Sequence, residues 1–402
     1  PSNNQQMAKP VPKTFINFDN TEIAFANKSN KELIRTSRLF KLMSNSMLTK
    51  LLSSGGLLAV KFNLPFARFA VKQTIYEQFC GGETLLDCQV AIDKLYENNV
   101  FTILDYGAEG KSTPEEHDEV KDQIAQSIKL AAANNSVPVV VCKLSGLADN
   151  ELLERLQNSG AISDADQNAY QKLYDRVDQI CQKGNEFGVG IFIDAEESWM
   201  QVTIDRIAIE MMSKYNREKV IVYNTYQLYR HDKLAQLKSD YRKSQEEGYL
   251  FGVKFVRGAY MDKERSRAEE MGYESPIQKD KPSTDEDYDE AIKFCIENYK
   301  TIGSCCATHN EKSSLYQAEL IDQLGLDKKH PHLNFSQLYG MSDQITFNLA
   351  EVGYNVAKYV VYGPVKEVIP YLIRRAQENT SVTGEMGREL KFIQREIKRR
   401  KL

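Results

Sequence analysis

GVKFVRGAYM, residues 252–261, reads as a strand that ends in a turn. Val253, Phe255 and branched Val256 suit a pleated surface, Lys254 and Arg257 interrupt the apolar run, and Gly258-Ala259 removes side-chain bulk where the run stops. Two cations at the mouth of a core strand, followed by small residues, predict a backbone that closely approaches an anionic or planar ligand. An edge strand carrying two solvated cations fits this stretch alone equally well, so the remaining strands have to arbitrate.

Short apolar runs recur on both sides of it, at 101–104, 137–142, 189–193, 220–223, 302–306, 333–338 and 356–361. Helical patterns such as HDEVKDQIAQSIKLAAANN and SLYQAELIDQLG lie between them. Strands this short lie parallel only when crossovers of about a dozen residues connect them, and helices supply such crossovers. Eight strand-helix units over about 280 residues predict an α/β fold, a TIM-type (β/α)8 barrel. An open doubly wound sheet would carry G-x-G-x-x-G after its first strand, whereas the residues there, DYGAEGKS, space their glycines differently.

Upstream of the barrel, residues 31–99 repeat apolar side chains three and four apart, with Gly81-Gly82 and Asn98-Asn99 as stops, which predicts additional N-terminal helices. The expected division is a helical region over 1–100 packing against the barrel, the barrel itself over 101–385, and a basic helical tail over 386–402. The apolar residues of 57–69, with Lys61 and Arg68 among them, suit an interior helical layer; a membrane surface is the alternative.

With 402 residues, 42% of them hydrophobic, the chain can bury a large core, and a net charge of -4 gives no support to wholesale nucleic-acid binding. The seven cysteines form no small-domain framework and fit a reducing compartment. Neither C-x-x-C nor H-E-x-x-H occurs, and the five histidines lack a metal-ligand spacing, so no metal is expected. The first residues, PSNNQQMAKPVPK, lack the apolar segment of a secretory signal, and no later run approaches the length of a membrane span.

A closed barrel collects its functional groups at the carboxyl ends of its strands. Those ends carry Asp105, Lys143, Asp194, Asn224, Lys254 with Arg257, Thr308-His309-Asn310, Gln337 with Tyr339, and Tyr362. Lys143, Lys254, Arg257, Arg374 and Arg375 make the mouth locally cationic, which fits a carboxylate substrate and a phosphate-bearing cofactor. In VKEVIPYLIRRAQEN, Tyr371, Arg374 and Glu378 can share a helix face; a solvated face with a modest salt bridge is the plainer reading. Ser145 and His309 lack the context of a nucleophile elbow. Cys305 and Cys306 are adjacent in a strand and therefore point to opposite faces.

Taken in order, VVVCKLSGL, FIDAEESW, VYNTYQLY, FGVKFVRGAYM, CCATHN, FSQLYGM, YVVYGP and YLIRRAQEN resemble the FAD-dependent proline dehydrogenase family over residues 101–381. The resemblance implies a distorted barrel that oxidises L-proline to Δ1-pyrroline-5-carboxylate, reduces noncovalently bound FAD and passes the electrons to a membrane quinone. It implies Arg374 and Arg375 as the clamp on the substrate carboxylate, Glu109 as an acid that pairs with the clamp, and Lys143 as a basic partner. Tyr362, Tyr260 and Leu338 look like walls around the proline ring, with Asp194 as an orienting acid near Tyr362. Asn224, Lys254, Arg257, Gly258, Ala259, Thr308, His309 and Asn310, with Glu378 and Ser381, look like the cofactor side. Lys254 resembles the monofunctional branch; the bifunctional bacterial branch has arginine there. Tyr362 and Leu338 favour L-proline over trans-4-hydroxy-L-proline, the nearest rival substrate; a non-flavin barrel enzyme and an inactive interaction module are the more distant alternatives. The resemblance also implies a separate pyrroline-5-carboxylate dehydrogenase and peripheral membrane contact, for which KFIQREIKRRKL (391–402) is a candidate. The expected location is the cytoplasm with peripheral association to the inner membrane in a bacterium, or the mitochondrial inner membrane or matrix in a eukaryote.

Overall fold

Each of the eight apolar runs forms a parallel strand. In the computed structural model, which describes residues 16–43, 69, 71–158, 162–380 and 385–402, they are β2 (Phe101–Tyr106), β3 (Val139–Cys142), β4 (Gly190–Ile193), β5 (Val222–Gln227), β6 (Phe251–Val256), β7 (Ile302–Ala307), β8 (Leu333–Leu338) and β9 (Asn355–Tyr362). Neighbours in sequence are neighbours in the sheet, and β9 closes it by pairing with β8 through Leu338↔Tyr359 and with β2 through Leu104↔Val360. The chain is thus a closed α/β barrel. A ninth strand, β1 (Cys80–Gly82), pairs with β9 beyond the end of β8, with Cys80 opposite Val361. Gly81-Gly82 therefore does more than stop a helix: it adds a short strand to the barrel rim.

Side chains alternate across the barrel wall as the two-residue period requires. Ile103, Val141, Phe192, Tyr223, Cys305 and Tyr359 share the inner cluster, whereas Leu104, Val140, Ile191, Val222, Cys306 and Val360 pack outward under the helices. The expected opposition of Cys305 and Cys306 holds. Local signals start and stop the crossovers: Thr113 and Glu116 form a capping box ahead of the helix Pro114–Ala132, and Gly188, at φ 70°, ends the helix Asp164–Phe187 in the left-handed conformation.

The distortion lies in the last unit. The helix Val365–Thr380 places Val365, Val368 and Leu372 in the inner cluster instead of the outer layer. The helix Leu85–Tyr96 supplies Cys88, Ile92 and Leu95 to the outer layer and packs against β2 and β9, the side where a last crossover would otherwise lie.

The segment expected as a basic tail is helical over Glu385–Arg399 and packs on the helix Asn30–Met43. Phe392 and Ile393 are buried there, worth roughly 2 kcal/mol each as area removed from water. Glu396 is fully buried and takes both Arg399 and Arg400, while Arg400 also donates to the carbonyls of Phe25 and Lys28 at 2.8 and 2.7 Å. The apolar face of 391–402 is thus covered by the protein's own N-terminal helix, which removes it as a ready membrane-facing surface. Of residues 57–69, the other candidate for membrane contact, all but Phe69 lie outside the described residues. Among the described residues no helix is long and apolar enough to cross a membrane.

Candidate active site at the barrel mouth

Because Val253 and Phe255 face the helices, Lys254 faces the interior, and the same alternation turns Asp105, Lys143, Asp194 and Tyr359 inward at the carboxyl ends of their strands. These side chains form one network. Lys254 Nζ donates to Asp194 Oδ1 at 2.6 Å, and Tyr359 OH donates to Asp194 Oδ2 at 2.7 Å. Lys143 Nζ pairs with Asp105, donates to Tyr359 OH at 3.0 Å and stands 4.0 Å from Asp194 Oδ2. The Lys254 ammonium lies 4.8 Å from the centre of the Tyr359 ring, within cation–π range. Burial alone would push the Asp194 carboxyl up, but Lys254 and Lys143 hold it below the usual carboxylate range. Burial likewise opposes charge on Lys143, and Asp105 with Asp194 overrides it and raises the ammonium's pKa. Asp194 and Lys143 are therefore held in their charged forms at the mouth floor.

The helix Val365–Thr380 brings the arginines to this floor. Arg374 Nη2 donates to Glu109 Oε1 at 2.8 Å, and its guanidinium lies 5.5 Å from the centre of the Tyr260 ring, which follows β6. Arg375, buried, lies 5.2 Å from the ring of Tyr371 one turn back. Arg374, Glu109 and Tyr260 thus come together with the continuation of the Lys254 strand.

On the other side of the mouth Arg257 is committed to the protein: its nitrogens donate to Asp285 at 2.8 Å, Thr308 at 2.7 Å and Ser313 at 3.0 Å. Thr308 Oγ1 also accepts from the Asn310 N–H at 3.1 Å, and Asn310 Oδ1 caps the helix Glu311–Gln323 through the Ser313 N–H at 3.1 Å. His309 Nδ1 meets Ser342 Oγ at 2.8 Å, so its partner is not Ser145. Burial, with Lys358, Arg375 and Arg257 nearby, pushes the imidazole pKa down to about 3 and keeps the ring neutral. A cavity of about 220 Å³ opens beside it, between Lys281, Asp285, Asn310, Ser342, Arg388 and Glu389. Gly258 has φ 142°, and a Cβ there would come within 2.4 Å of the Tyr229 ring, so a neighbouring aromatic already demands glycine at this position. Ala259 is exposed, and Leu338 turns inward at the end of β8.

Two expected positions do not reach the mouth. Tyr362 points outward, its hydroxyl 2.7 Å from Ser127 Oγ under the helix Pro114–Ala132; the inward tyrosine is Tyr359, three residues earlier and so on the opposite face. Asp194 accordingly meets Tyr359, not Tyr362. Asn224 also points outward and donates to Asp205 Oδ1 at 2.9 Å, because Tyr223 and Thr225 take the inner face of β5. The side chain of Glu378 and all of Ser381 lie outside the described residues. Sequence reasoning missed Tyr359, Asp105 as the partner of Lys143, and Gln227, the last residue of β5 on its inner face. Gln227 donates from Nε2 to the Glu196 carbonyl at 2.9 Å, and its Oε1 is buried without a partner among the described residues. Strict two-residue counting from Lys254 and Tyr223 is the signal that finds it. Glu196 itself accepts from the Ser145 N–H at 2.9 Å, and burial beside Glu197 pushes its carboxyl up to about 7.

A family model described as proline dehydrogenase matches residues 88–388. The chain belongs to the proline dehydrogenase family. "Proline dehydrogenase 1, mitochondrial" of Dictyostelium discoideum is 32% identical over 447 residues, covering 100% of this chain and 77% of that protein. "Hydroxyproline dehydrogenase" of Xenopus laevis is 31% identical over 415 residues, covering 94% and 88%. Among solved structures, proline utilization A from Bdellovibrio bacteriovorus inactivated by N-propargylglycine superimposes with a TM-score of 0.71 at 21% identity, over 94% of this chain and 40% of that one. This family member thus spans about two fifths of the bacterial chain whose fold it shares. At that identity the likeness speaks for the fold alone.

Proposed function

We propose that this member of the proline dehydrogenase family is an FAD-dependent dehydrogenase that oxidises L-proline to Δ1-pyrroline-5-carboxylate. The observation that carries the reading is the meeting of Arg374 with Tyr260, across one mouth from the Lys254–Asp194–Tyr359–Lys143 network. The residues fit a flavin: Gln227 Oε1 is a buried acceptor in want of an N–H, and the cavity beside neutral His309 has room for an extension of the ligand. When bound, FAD supplies the acceptor for the two electrons and the hydrogen that leave C5 of proline.

The chain's own groups do the rest. Arg374 and Arg375 take the substrate carboxylate, where a planar fork holds it in one orientation, and Glu109 keeps Arg374 in place beforehand. Tyr260, Tyr359 and Leu338 wall the ring by shape and exclude water. Lys143, charged, favours the anionic form of what binds beside it, and Asp194 holds Lys254 and Tyr359 in register. Lys254 would stabilise negative charge on a cofactor ring bound beside it. Gly258, Ala259, Thr308, His309, Asn310, Glu378 and Ser381 remain the proposed lining of the cofactor side, with Arg257 and Asn310 acting by bracing the loops. The Asn224 role passes to its inward neighbour Gln227, and the Tyr362 role to Tyr359.

A membrane quinone as electron acceptor, peripheral contact with its membrane and a separate dehydrogenase for the pyrroline product complete the proposal. Location follows the source: mitochondrial inner membrane or matrix, or bacterial cytoplasm at the inner membrane. The two relatives described above carry proline and hydroxyproline names at 32% and 31% identity, so identity does not choose the substrate. The bulk of Tyr359, with its hydroxyl already engaged by Asp194 and Lys143, takes the room a ring hydroxyl would need and favours proline. Anaerobic mixing tests both points. Bound FAD should bleach with L-proline, and kcat/KM should favour L-proline over trans-4-hydroxy-L-proline; no bleaching, or the reverse preference, overturns the reading.

A further inference from the structure

Behind β5, on the helix Ser198–Tyr215, the Asp205 carboxylate accepts four hydrogen bonds. Asn224 Nδ2 and Gln201 Nε2 reach Oδ1 at 2.9 and 2.8 Å, and Lys233 Nζ and Gln236 Nε2 reach Oδ2 at 2.6 and 2.9 Å. A carboxylate that only accepts fixes the direction of every amide that meets it. Gln201, fully buried, must therefore present Nε2 to Asp205, which leaves its Oε1 to accept from the Glu196 N–H at 2.7 Å. The Glu196 carbonyl can only accept, so Gln227 must present Nε2 to it, at 2.9 Å. The remaining atom, Gln227 Oε1, is a buried acceptor with no partner among the described residues, at the end of β5 beside the Lys254 strand. Turning any one amide over would set two oxygens, or two N–H groups, against each other.

We infer that Asp205 and Gln201 are positioning residues which, by holding the Glu196 N–H, fix the backbone whose next carbonyl aims the oxygen of Gln227 at a ring N–H of the flavin; the inference rests on the flavin reading proposed above. Neither residue reaches the mouth. Their work is done from the helical layer: Asp205, paired with Lys233, fixes the Gln201 amide, Gln201 fixes the Glu196 N–H, and the Glu196 carbonyl held in that place orients Gln227, so the relay ends in a single acceptor. A misaimed Gln227 would present N–H to N–H, so the relay governs how tightly the ring is held and how its absorption and potential are set, apart from substrate binding.

The test is a double-mutant cycle on the full chain, read by FAD titration, by the visible spectrum of the bound flavin and by its reduction potential. Gln201→Met, close in volume, should weaken FAD binding about tenfold and shift the spectrum and potential, as should Gln227→Met. In the double variant the second change should add nothing. Independent, multiplying losses, or a Gln201→Met protein that melts earlier with flavin affinity, spectrum and potential unchanged, would overturn the relay while leaving the flavin reading intact. A wild type that binds no FAD would overturn both. If Gln201→Met does not fold, Asp205→Asn keeps the volume and frees the Gln201 amide to reverse, and the same cycle against Gln227→Met decides.

Discussion

Tyr359 donates to Asp194 at 2.7 Å and accepts from Lys143 at 3.0 Å, so removing its hydroxyl strips a partner from two charged groups in the mouth. Tyr359→Phe should lower kcat/KM for L-proline by about tenfold. Tyr362→Phe is the control: its hydroxyl bonds Ser127 in the helical layer, so steady-state kinetics should stay unchanged while urea unfolding loses about 1 kcal/mol. An equal kinetic loss at both positions would mean that the wrong tyrosine faces the substrate. Arg374 offers a second probe. Arg374→Met should cost about a hundredfold in kcat/KM, chiefly through KM, and Arg374→Lys should recover only part of it because an ammonium lacks the planar fork. Full recovery by lysine would reduce the clamp to simple charge.

The helix Glu385–Arg399 holds the N-terminal helices to the last turn of the barrel region, and its buried carboxyl at Glu389 accepts the Ser342 N–H at 2.8 Å next to His309. Phe392, 3% exposed, is buried in the cluster that also holds Leu33, Phe40 and Met43 of the helix Asn30–Met43; Phe392→Ala should destabilise the protein by about 3 kcal/mol in a urea titration. Little change would mean that this helix docks only in passing. Burial, with Asp343 adding to it and Lys358 opposing it, pushes the Glu389 carboxyl from 4.5 up to about 8. A group whose pKa is raised by folding binds its proton more tightly when folded, so its contribution is complete below about pH 4.5 and is lost as pH rises through about 8. Each unit of such a shift corresponds to about 1.4 kcal/mol. Glu389→Gln keeps an acceptor for Ser342 and removes the titration. It should therefore match the wild type near pH 4.5 and exceed its thermal stability at pH 9; parallel pH profiles would sink the assignment.

A ligand that grips β5, β6, β7 and the helix over the mouth would tie distant parts of one closed sheet together, so FAD should stabilise the barrel as a unit. At a hundredfold excess over Kd the gain is about 2.7 kcal/mol, a rise of several degrees in Tm in a single cooperative transition. An FAD-independent Tm would argue that the mouth is not its site. The barrel was open to reading because its cause is local: alternating or continuous apolar runs of strand length, separated by amphipathic stretches long enough only for parallel crossovers, leave few other ways to bury the chain. Lys143, Asp194 and Lys254 were legible for the same reason, since ends of runs are where a barrel keeps its polar groups, whereas Glu109 and the clamp role of Arg374 came from the family resemblance alone. The sequence therefore determined the closed α/β architecture, the family and the charged character of the mouth. What it left open was which of two alternating faces each strand turns inward, and how elements far apart in the chain cover one another. Tyr359 against Tyr362, Gln227 against Asn224, the Val365–Thr380 helix in the inner cluster and the covered face of 391–402 were decided only by the folded whole, because a strand's inner face and a helix's neighbour are set by closure and packing rather than by any residue's own preference.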